Sequence, residues 1–172
     1  MILDTNGYLL INYGASNGAY PLQVNGQIFA TSSTIATSDA RYKEDIQSLD
    51  GALDVIKALR PVQFKWKKHD IHNFNTDIPT IGFLAQEVQQ VLADKPYLNS
   101  IVKSSDCVLE VEEKDEDENI IKEAVTEEFL GIAESNLVAL LTRAMQEQNE
   151  EVVDLRTRVA TLEALVLNLT GK

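Results

Sequence analysis

The longest pattern in the chain lies at its C-terminal end, where apolar residues fall at Val138, Leu141, Met145, Val152, Leu155, Val159, Leu162, Val166 and Leu169. Placed in a heptad, Val138, Met145, Val152, Val159 and Val166 take the a positions. Leu141, Gln148, Leu155, Leu162 and Leu169 take d, with Gln148 as the polar interruption. This predicts a helix of roughly 48 Å at ~1.5 Å per residue, carrying a coiled-coil seam. β-branched a with leucine d leans toward two strands. A single long helix folded back on its own domain is the plainer alternative, and the sustained heptads weigh against it.

Upstream the period changes repeatedly. Leu49, Leu53, Ile56 and Leu59 recur at helical spacing until Pro61 ends the pattern, with Ser48 as the expected N-cap. Val62, Phe64 and Trp66 then alternate with Gln63, Lys65 and Lys67, the period of a half-buried strand whose apolar face should pack on that helix. Residues 68–79 read as a polar loop, 80–84 as a second strand, and 86–92 as a second helix ending before Lys95-Pro96. A strand is expected over 107–113, with 120–125 as its hairpin partner. The acidic tip joining them, Lys114-Asp115-Glu116-Asp117-Glu118-Asn119, lacks the glycine and ligand spacing of a Ca²⁺ loop and reads as a solvated turn.

Residues 1–37 are rich in Gly, Asn, Ser and Thr, nearly free of charge, and broken by short apolar runs, which predicts β structure. Asn6-Gly7 and Asn25-Gly26, 19 residues apart, each lie between apolar-rich runs, the strongest short hairpin signal. A segment this short cannot build a core of its own, and its strand edges invite pairing with other chains. The end of a fibre, with identical chains wrapped together, would satisfy both constraints. A disordered leader is the alternative, and the apolar content argues against it.

Composition narrows the function. The chain has 172 residues, is 44% hydrophobic and 24% charged, and carries a formal net charge of -12, which argues against nonspecific nucleic-acid binding. No apolar run approaches a membrane span, and no basic region precedes an apolar stretch at the N-terminus, so neither membrane insertion nor a signal peptide is expected. The single cysteine, Cys107, reads as a small apolar strand residue. His69 and His72 flank Asp70 in the polar loop, a weak metal signal that is better read as a solvated loop, and no metal or cofactor is expected.

The chemistry concentrates in Ser38-Asp39-Ala40-Arg41-Tyr42-Lys43. A serine hydroxyl becomes a nucleophile when a neighbour takes its proton, and lysine can do so only as the neutral amine. Free lysine titrates at about 10.4, so a lysine base poised near neutrality needs about 4 kcal/mol of help from its surroundings. Burial supplies such help, and a nearby cation such as Arg41 would push the same way. Five residues separate Ser38 from Lys43, which puts them on different faces of a strand or a helix. A turn between them, or a lysine from another chain, is therefore required. On spacing alone, a solvated polar connector is the simpler reading.

The segment resembles the opening of the C-terminal intramolecular chaperones of bacteriophage tail fibres and tailspikes, the endosialidase-type self-cleaving serine peptidase family. Ser38 to Ile46 matches the family's Ser-Asp-x-Arg-x-Lys opening and the charged residue, Asp and Ile that follow it. Ile81-Gly82-Phe83-Leu84-Ala85-Gln86-Glu87-Val88 looks like its Gly-x-x-Ala-Gln-Glu-Val block. Ser135-Asn136-Leu137-Val138-Ala139-Leu140-Leu141 looks like its C-terminal helix start, with Asn136 where the family usually has Arg. The resemblance implies a Ser38/Lys43 dyad cutting the bond between Thr37 and Ser38, with Asp39 and Arg41 supporting the turn. In addition, Arg158-Val159-Ala160-Thr161-Leu162-Glu163 resembles the Arg-to-Glu pattern of short trimeric coiled coils. Together these favour three chains, with Val152, Leu155, Arg158, Val159, Leu162, Glu163 and Val166 at the interface.

The expected architecture is therefore α+β: a β-rich fibre end (1–37), a small mixed α/β chaperone and autoprotease domain (38–133), and a C-terminal helix (134–172) forming a trimeric coiled coil. The expected partners are two further copies and the upstream fibre chain in cis. The expected setting is the host cytoplasm during phage assembly, with the fibre part ending in the virion tail. A noncatalytic trimerisation tip that stays on its fibre is the alternative. The related chaperone domain of membrane-tethered eukaryotic transcription factors would adjoin a DNA-binding domain and a membrane span, and the fibre-like leader favours a phage instead.

Overall fold

In the computed structural model, described over residues 1–16, 18–32, 34–110, 113–114, 120–123 and 125–171, the chain is α+β with one long C-terminal helix. Three short strands open it: β1 (Ile2–Leu3), β2 (Leu9–Ile11) and β3 (Leu22–Val24). A 3₁₀ turn at Ala40–Tyr42 precedes α1 (Ala52–Ala58), then come β4 (Val62–Phe64), β5 (Thr80–Gly82), α2 (Ala85–Val91) and α3 (Leu98–Ile101). The remainder is β6 (Val102–Glu110), β7 (Glu113–Lys114), β8 (Ile120–Lys122), β9 (Val125–Ile132), a 3₁₀ turn at Glu134–Asn136, and α4 (Leu137–Thr170). The acidic stretch 115–119 lies outside the described residues.

The core forms where the helices meet the first turns of α4. Ala52, Leu53 and Val55 of α1, Val88 of α2 and Ile101 of α3 close on Leu140 and Ala144, with Leu59, Leu92 and Val102 completing the cluster. In the heptad, Leu140 and Ala144 are c and g positions, so the domain grips α4 on a side other than its a/d seam. Val138, Leu141 and Met145 are consequently left exposed beside the domain.

The start of α1 departs from the sequence expectation. Ser48 is not its N-cap; that place belongs to Gly51, whose φ of 66° is left-handed and suits glycine. The orphan amide of Leu53 donates instead to Glu147 Oε2 of α4 at 2.8 Å. A carboxylate from another helix thus does what a local Ser, Asn or Asp usually does. These bonds, led by the one from Leu53, hold the Glu147 carboxyl below its ordinary pKa. Arg143, one turn earlier, donates through Nε to the Leu49 carbonyl at 2.9 Å and pairs with Glu147 at 3.2 Å.

In the sheets, β4 and β5 pair antiparallel with Gln63 opposite Ile81, and α2 follows as the sequence pattern predicts. The strand carrying Cys107 begins earlier than expected, at Val102, and its main partner is β9 rather than residues 120–125. The ladder runs from Val102 opposite Ile132 to Glu110 opposite Val125, with a bulge between Val108 and Glu110. Cys107 is buried in it, and burial raises its thiol pKa, with Glu127 adding to the effect.

The two Asn-Gly pairs behave differently. β1 and β2 form the expected antiparallel hairpin, with Gly7 at φ 80° and the Asp4 carboxylate accepting the amides of Asn6 and Tyr8. Asn25-Gly26 turns no hairpin: β3 joins β2 in parallel, and the chain leaves the sheet. The Asn25 amide is drawn into tertiary bonds instead. Its Nδ2 donates to the Ile71 carbonyl at 2.6 Å, and its Oδ1 accepts from the Asn73 amide at 2.6 Å.

Candidate functional site

Asp39 is the residue that shapes the motif. Its backbone is extended (φ -70°, ψ 130°), and its carboxylate accepts the Arg41 amide at 2.9 Å, capping the 3₁₀ turn Ala40–Tyr42. The Arg41 guanidinium folds back on the same carboxylate, Nε to Oδ1 at 3.1 Å and Nη2 to Oδ2 at 2.7 Å. Those bonds hold the Asp39 carboxyl below its ordinary value and the Arg41 guanidinium above its own. Arg41 is thus ion-paired with Asp39 at 2.7 Å.

The turn closes at Lys43, whose amide donates to the Ala40 carbonyl at 3.1 Å. Reversing the chain over three residues brings the two ends of the motif together: Lys43 Nζ lies 2.8 Å from Ser38 Oγ and donates to it. The five-residue separation that a strand or a helix cannot bridge is thus bridged within one chain. Base catalysis across this contact needs a neutral amine accepting from Oγ–H. Ser38, Lys43 and Thr37 are all exposed in the single chain. Two residues beyond the lysine, Asp45 has a left-handed φ of 50°, a conformation that Asp and Asn tolerate better than most residues.

The internal motif block also acquires physical roles. Gly82 faces the Phe64 ring, where a Cβ would lie 3.4 Å from it, and Val88 is almost fully buried. Glu87 pairs with Arg60, which holds the Glu87 carboxyl below its ordinary value. At the start of α4, Asn136 Nδ2 donates to the Ser100 carbonyl at 2.8 Å.

Along α4 the expected interface residues form an exposed stripe. Val159 and Leu162 are 52% and 60% exposed, and together with Glu163, Val166 and Leu167 they line a shallow apolar cleft. Val152 and Leu155 continue the stripe toward the domain. Arg158 pairs with Asp154 one turn away at 3.7 Å, a loose contact compatible with exchange for another carboxylate. None of the described helices is long and apolar enough to cross a membrane.

The loop 68–79 is more structured than its polarity suggests. His69 Nδ1 faces the Ile71 and His72 amides at 3.2 Å each, and the His72 Nδ1 shares a hydrogen bond with the Tyr13 hydroxyl at 3.2 Å. Trp66 stacks on Phe74 at 4.3 Å between centroids, and His72 meets the edge of Phe129. Burial, and secondarily His69, lowers the His72 pKa. The histidines are therefore half-buried parts of an aromatic cluster, not solvated loop residues. Sequence carried no signal for this, since Tyr13 and Phe129 come from far along the chain. Among the described residues, no group of three or more His, Cys, Asp or Glu could hold a metal ion.

Residues 38–95 match the family model described as chaperone of endosialidase. Over 176 residues the chain is 26% identical to Myelin gene regulatory factor-like A of Dictyostelium discoideum, covering 97% of this chain and 16% of that protein. The chain thus spans about a sixth of the length of that curated relative. One similar solved structure is the carboxy-terminal domain of the bacteriophage T5 L-shaped tail fiber with its intra-molecular chaperone domain. It has a TM-score of 0.53 at 18% identity, covering 90% of this chain and 40% of that one. A second, described as a novel intramolecular chaperon, has a TM-score of 0.47 at 20% identity, covering 66% of this chain and 99% of that one. The family model covers the opening motif and the internal block, so the recognition made from those residues stands for this segment.

Proposed function

We propose that this chain, whose residues 38–95 match the chaperone-of-endosialidase family, is an intramolecular chaperone that trimerises through α4, aligns the chains upstream of it, and then cuts itself between Thr37 and Ser38. In this reading residues 1–37 are the end of the client chain, 38–133 the chaperone and autoprotease domain, and 134–172 the assembly helix. The setting is phage tail-fibre or tailspike assembly in the host cytoplasm, with the released fibre going to the virion. The mechanism asks only for an upstream chain that must trimerise.

One observation carries the catalytic part: Lys43 Nζ stands 2.8 Å from Ser38 Oγ across a turn capped by Asp39 and braced by Arg41. In the reaction, neutral Lys43 takes the Oγ proton and the oxygen attacks the Thr37 carbonyl carbon. The Thr37–Ser38 C–N bond breaks as the lysine returns the proton to the departing Ser38 amine. The resulting ester joins Thr37 to Ser38 Oγ, and water hydrolyses it to a Thr37 carboxylate and a free hydroxyl.

Exposure explains why the reaction would wait. A lysine base needs to lose its hydration, and in the single chain Ser38 and Lys43 are open to water, as are the nearby Tyr42 and Ile46, 77% and 73% exposed. Packing of a neighbouring chain over this apolar rim would desolvate the amine, so assembly becomes the condition for cutting. A preformed trimer also raises the effective concentration of the upstream strands before they make contact. The exposure of the dyad equally favours a second reading, a noncatalytic trimerisation tip that stays attached. Intact mass on the wild type and on Ser38→Ala separates the two: fragments 1–37 and 38–172 in the former and a whole chain in the latter support catalysis.

A further inference from the structure

We infer that cutting the chain does not by itself free its N-terminal piece, because residues 13–25 are held on the remainder by a polar seam built from Asn25, Tyr13 and Tyr20. The inference rests on the proposed cleavage for its biological meaning, but the seam is a property of the fold.

Asn25 is the centre of the seam. Within the leader it is fixed by its own amide to the Ile11 carbonyl at 2.9 Å and by Asn12 Nδ2 to its carbonyl at 3.0 Å. Across the seam its carboxamide is used from both ends, donating to the Ile71 carbonyl and accepting from the Asn73 amide, each at 2.6 Å. A primary amide that satisfies one backbone carbonyl and one backbone amide of the same loop imitates a strand partner. On one side of it, the Tyr13 hydroxyl meets His72 Nδ1 at 3.2 Å, with the two rings edge to face at 6.0 Å. The Tyr20 hydroxyl accepts from Ser105 Oγ of β6 at 3.0 Å. Gly18 lies so close to that serine that a Cβ would stand 3.1 Å from its oxygen, so the leader follows the surface of β6 closely.

The proposed cut lies outside this seam. Residues 34–39 are irregular and, apart from the half-buried Asp39, exposed, and Thr37–Ser38 falls among them. Each of the bonds across the seam joins a residue before 26 to one after 70, so scission at 37 leaves them all in place. The remainder, residues 38–172, therefore carries a docking surface, formed by the 71–73 backbone, His72 and Ser105, whose occupant is the leader of the same chain. Scission and separation are then two events, and separation needs a further step that competes for the seam, such as the leader pairing with upstream strands of a completed fibre.

The test makes the cut independently of self-cleavage. In a Ser38→Ala chain, a sequence-specific protease site replaces residues 30–35, and digestion is verified by denaturing mass. Native size-exclusion chromatography should then show the two pieces co-eluting at micromolar concentration. Asn25→Ala, which leaves both the Ile71 carbonyl and the Asn73 amide unpaired, should weaken retention by about tenfold or more. Tyr20→Phe, a milder change that preserves the ring, should weaken it by about fivefold. Asn6→Ala, in the hairpin turn away from the seam, should leave it unchanged. Immediate separation of the digested parent overturns the inference, as does retention undiminished by both seam variants. Failure of wild-type self-cleavage would count against the proposed function and leave this outcome unaffected.

Discussion

Placing aspartate at both Val159 and Leu162 tests whether assembly controls cleavage, since neither residue touches the dyad. Each side chain keeps more than half of its surface exposed in the single chain, 52% and 60%. Full burial of a Val or Leu is worth about 1.5 to 3 kcal/mol, so closing a trimer over the exposed half contributes about 0.8 to 1.5 kcal/mol per side chain. With two positions in three chains, the double substitution removes about 5 to 9 kcal/mol per trimer, or about three to six orders of magnitude in the association constant. Carboxylates from three chains brought together in adjacent layers repel one another and resist desolvation, which adds in the same direction. Light scattering should report three chains per particle for the parent and one for Val159→Asp/Leu162→Asp, and intact mass should find the double variant uncut. A wild type that is monomeric at all concentrations removes the basis for the chaperone reading. A dimer would show that valine at a and leucine at d outweigh the Arg158-to-Glu163 pattern. Complete cutting in a monomeric double variant would refute the coupling and make the dyad a site that each chain completes alone.

Two further substitutions address other links. Lys43→Arg keeps a cationic donor for Ser38 but installs a guanidinium that does not deprotonate in proteins, so the variant should fold, assemble and remain whole by intact mass. Glu147→Gln removes the charge that α1 and Arg143 stabilise. Since the folded Glu147 pKa lies below its ordinary value, the stability contributed by the carboxylate is fully present above about pH 4.5 and lost as pH falls through the depressed value. The denaturation midpoint of the parent should therefore exceed that of Glu147→Gln at pH 7, and the gap should narrow toward pH 3. A gap that widens on acidification contradicts the capping role.

What could be read from the sequence was whatever is encoded locally. The alternation at Val62 and Phe64, the helix after Leu84 and the stripe from Val138 to Leu169 follow from side-chain spacing and appear in the fold, although the strand ends at Phe64 and leaves the alternating Trp66 outside it. The five-residue gap between Ser38 and Lys43 calls for a turn or a lysine from another chain, and Asp39 and Arg41 build a turn between them. What escaped depends on partners distant in sequence. Ser48 was the local choice of cap, but Glu147 reaches the amide of Leu53 from 94 residues away. Asn25-Gly26 carries the letters of a hairpin, yet the carboxamide is satisfied 46 residues on, at Ile71, and the backbone never reverses. The half-burial of His72 is set by Phe129 and Tyr13, neither of them in its loop. Strand β9 reads weakly because Thr126, Glu127 and Glu128 break its apolar run; only the register with β6 reveals it.

The central claim, that this chain cuts itself with Ser38 once folded and assembled, is tested most directly by the intact mass of freshly purified protein in parallel with Ser38→Ala. Masses for residues 1–37 and 38–172 are expected from the parent and one undivided mass from the variant. An undivided parent that light scattering shows to be trimeric would contradict it, and so would fragments ending anywhere but Thr37 or persisting in Ser38→Ala.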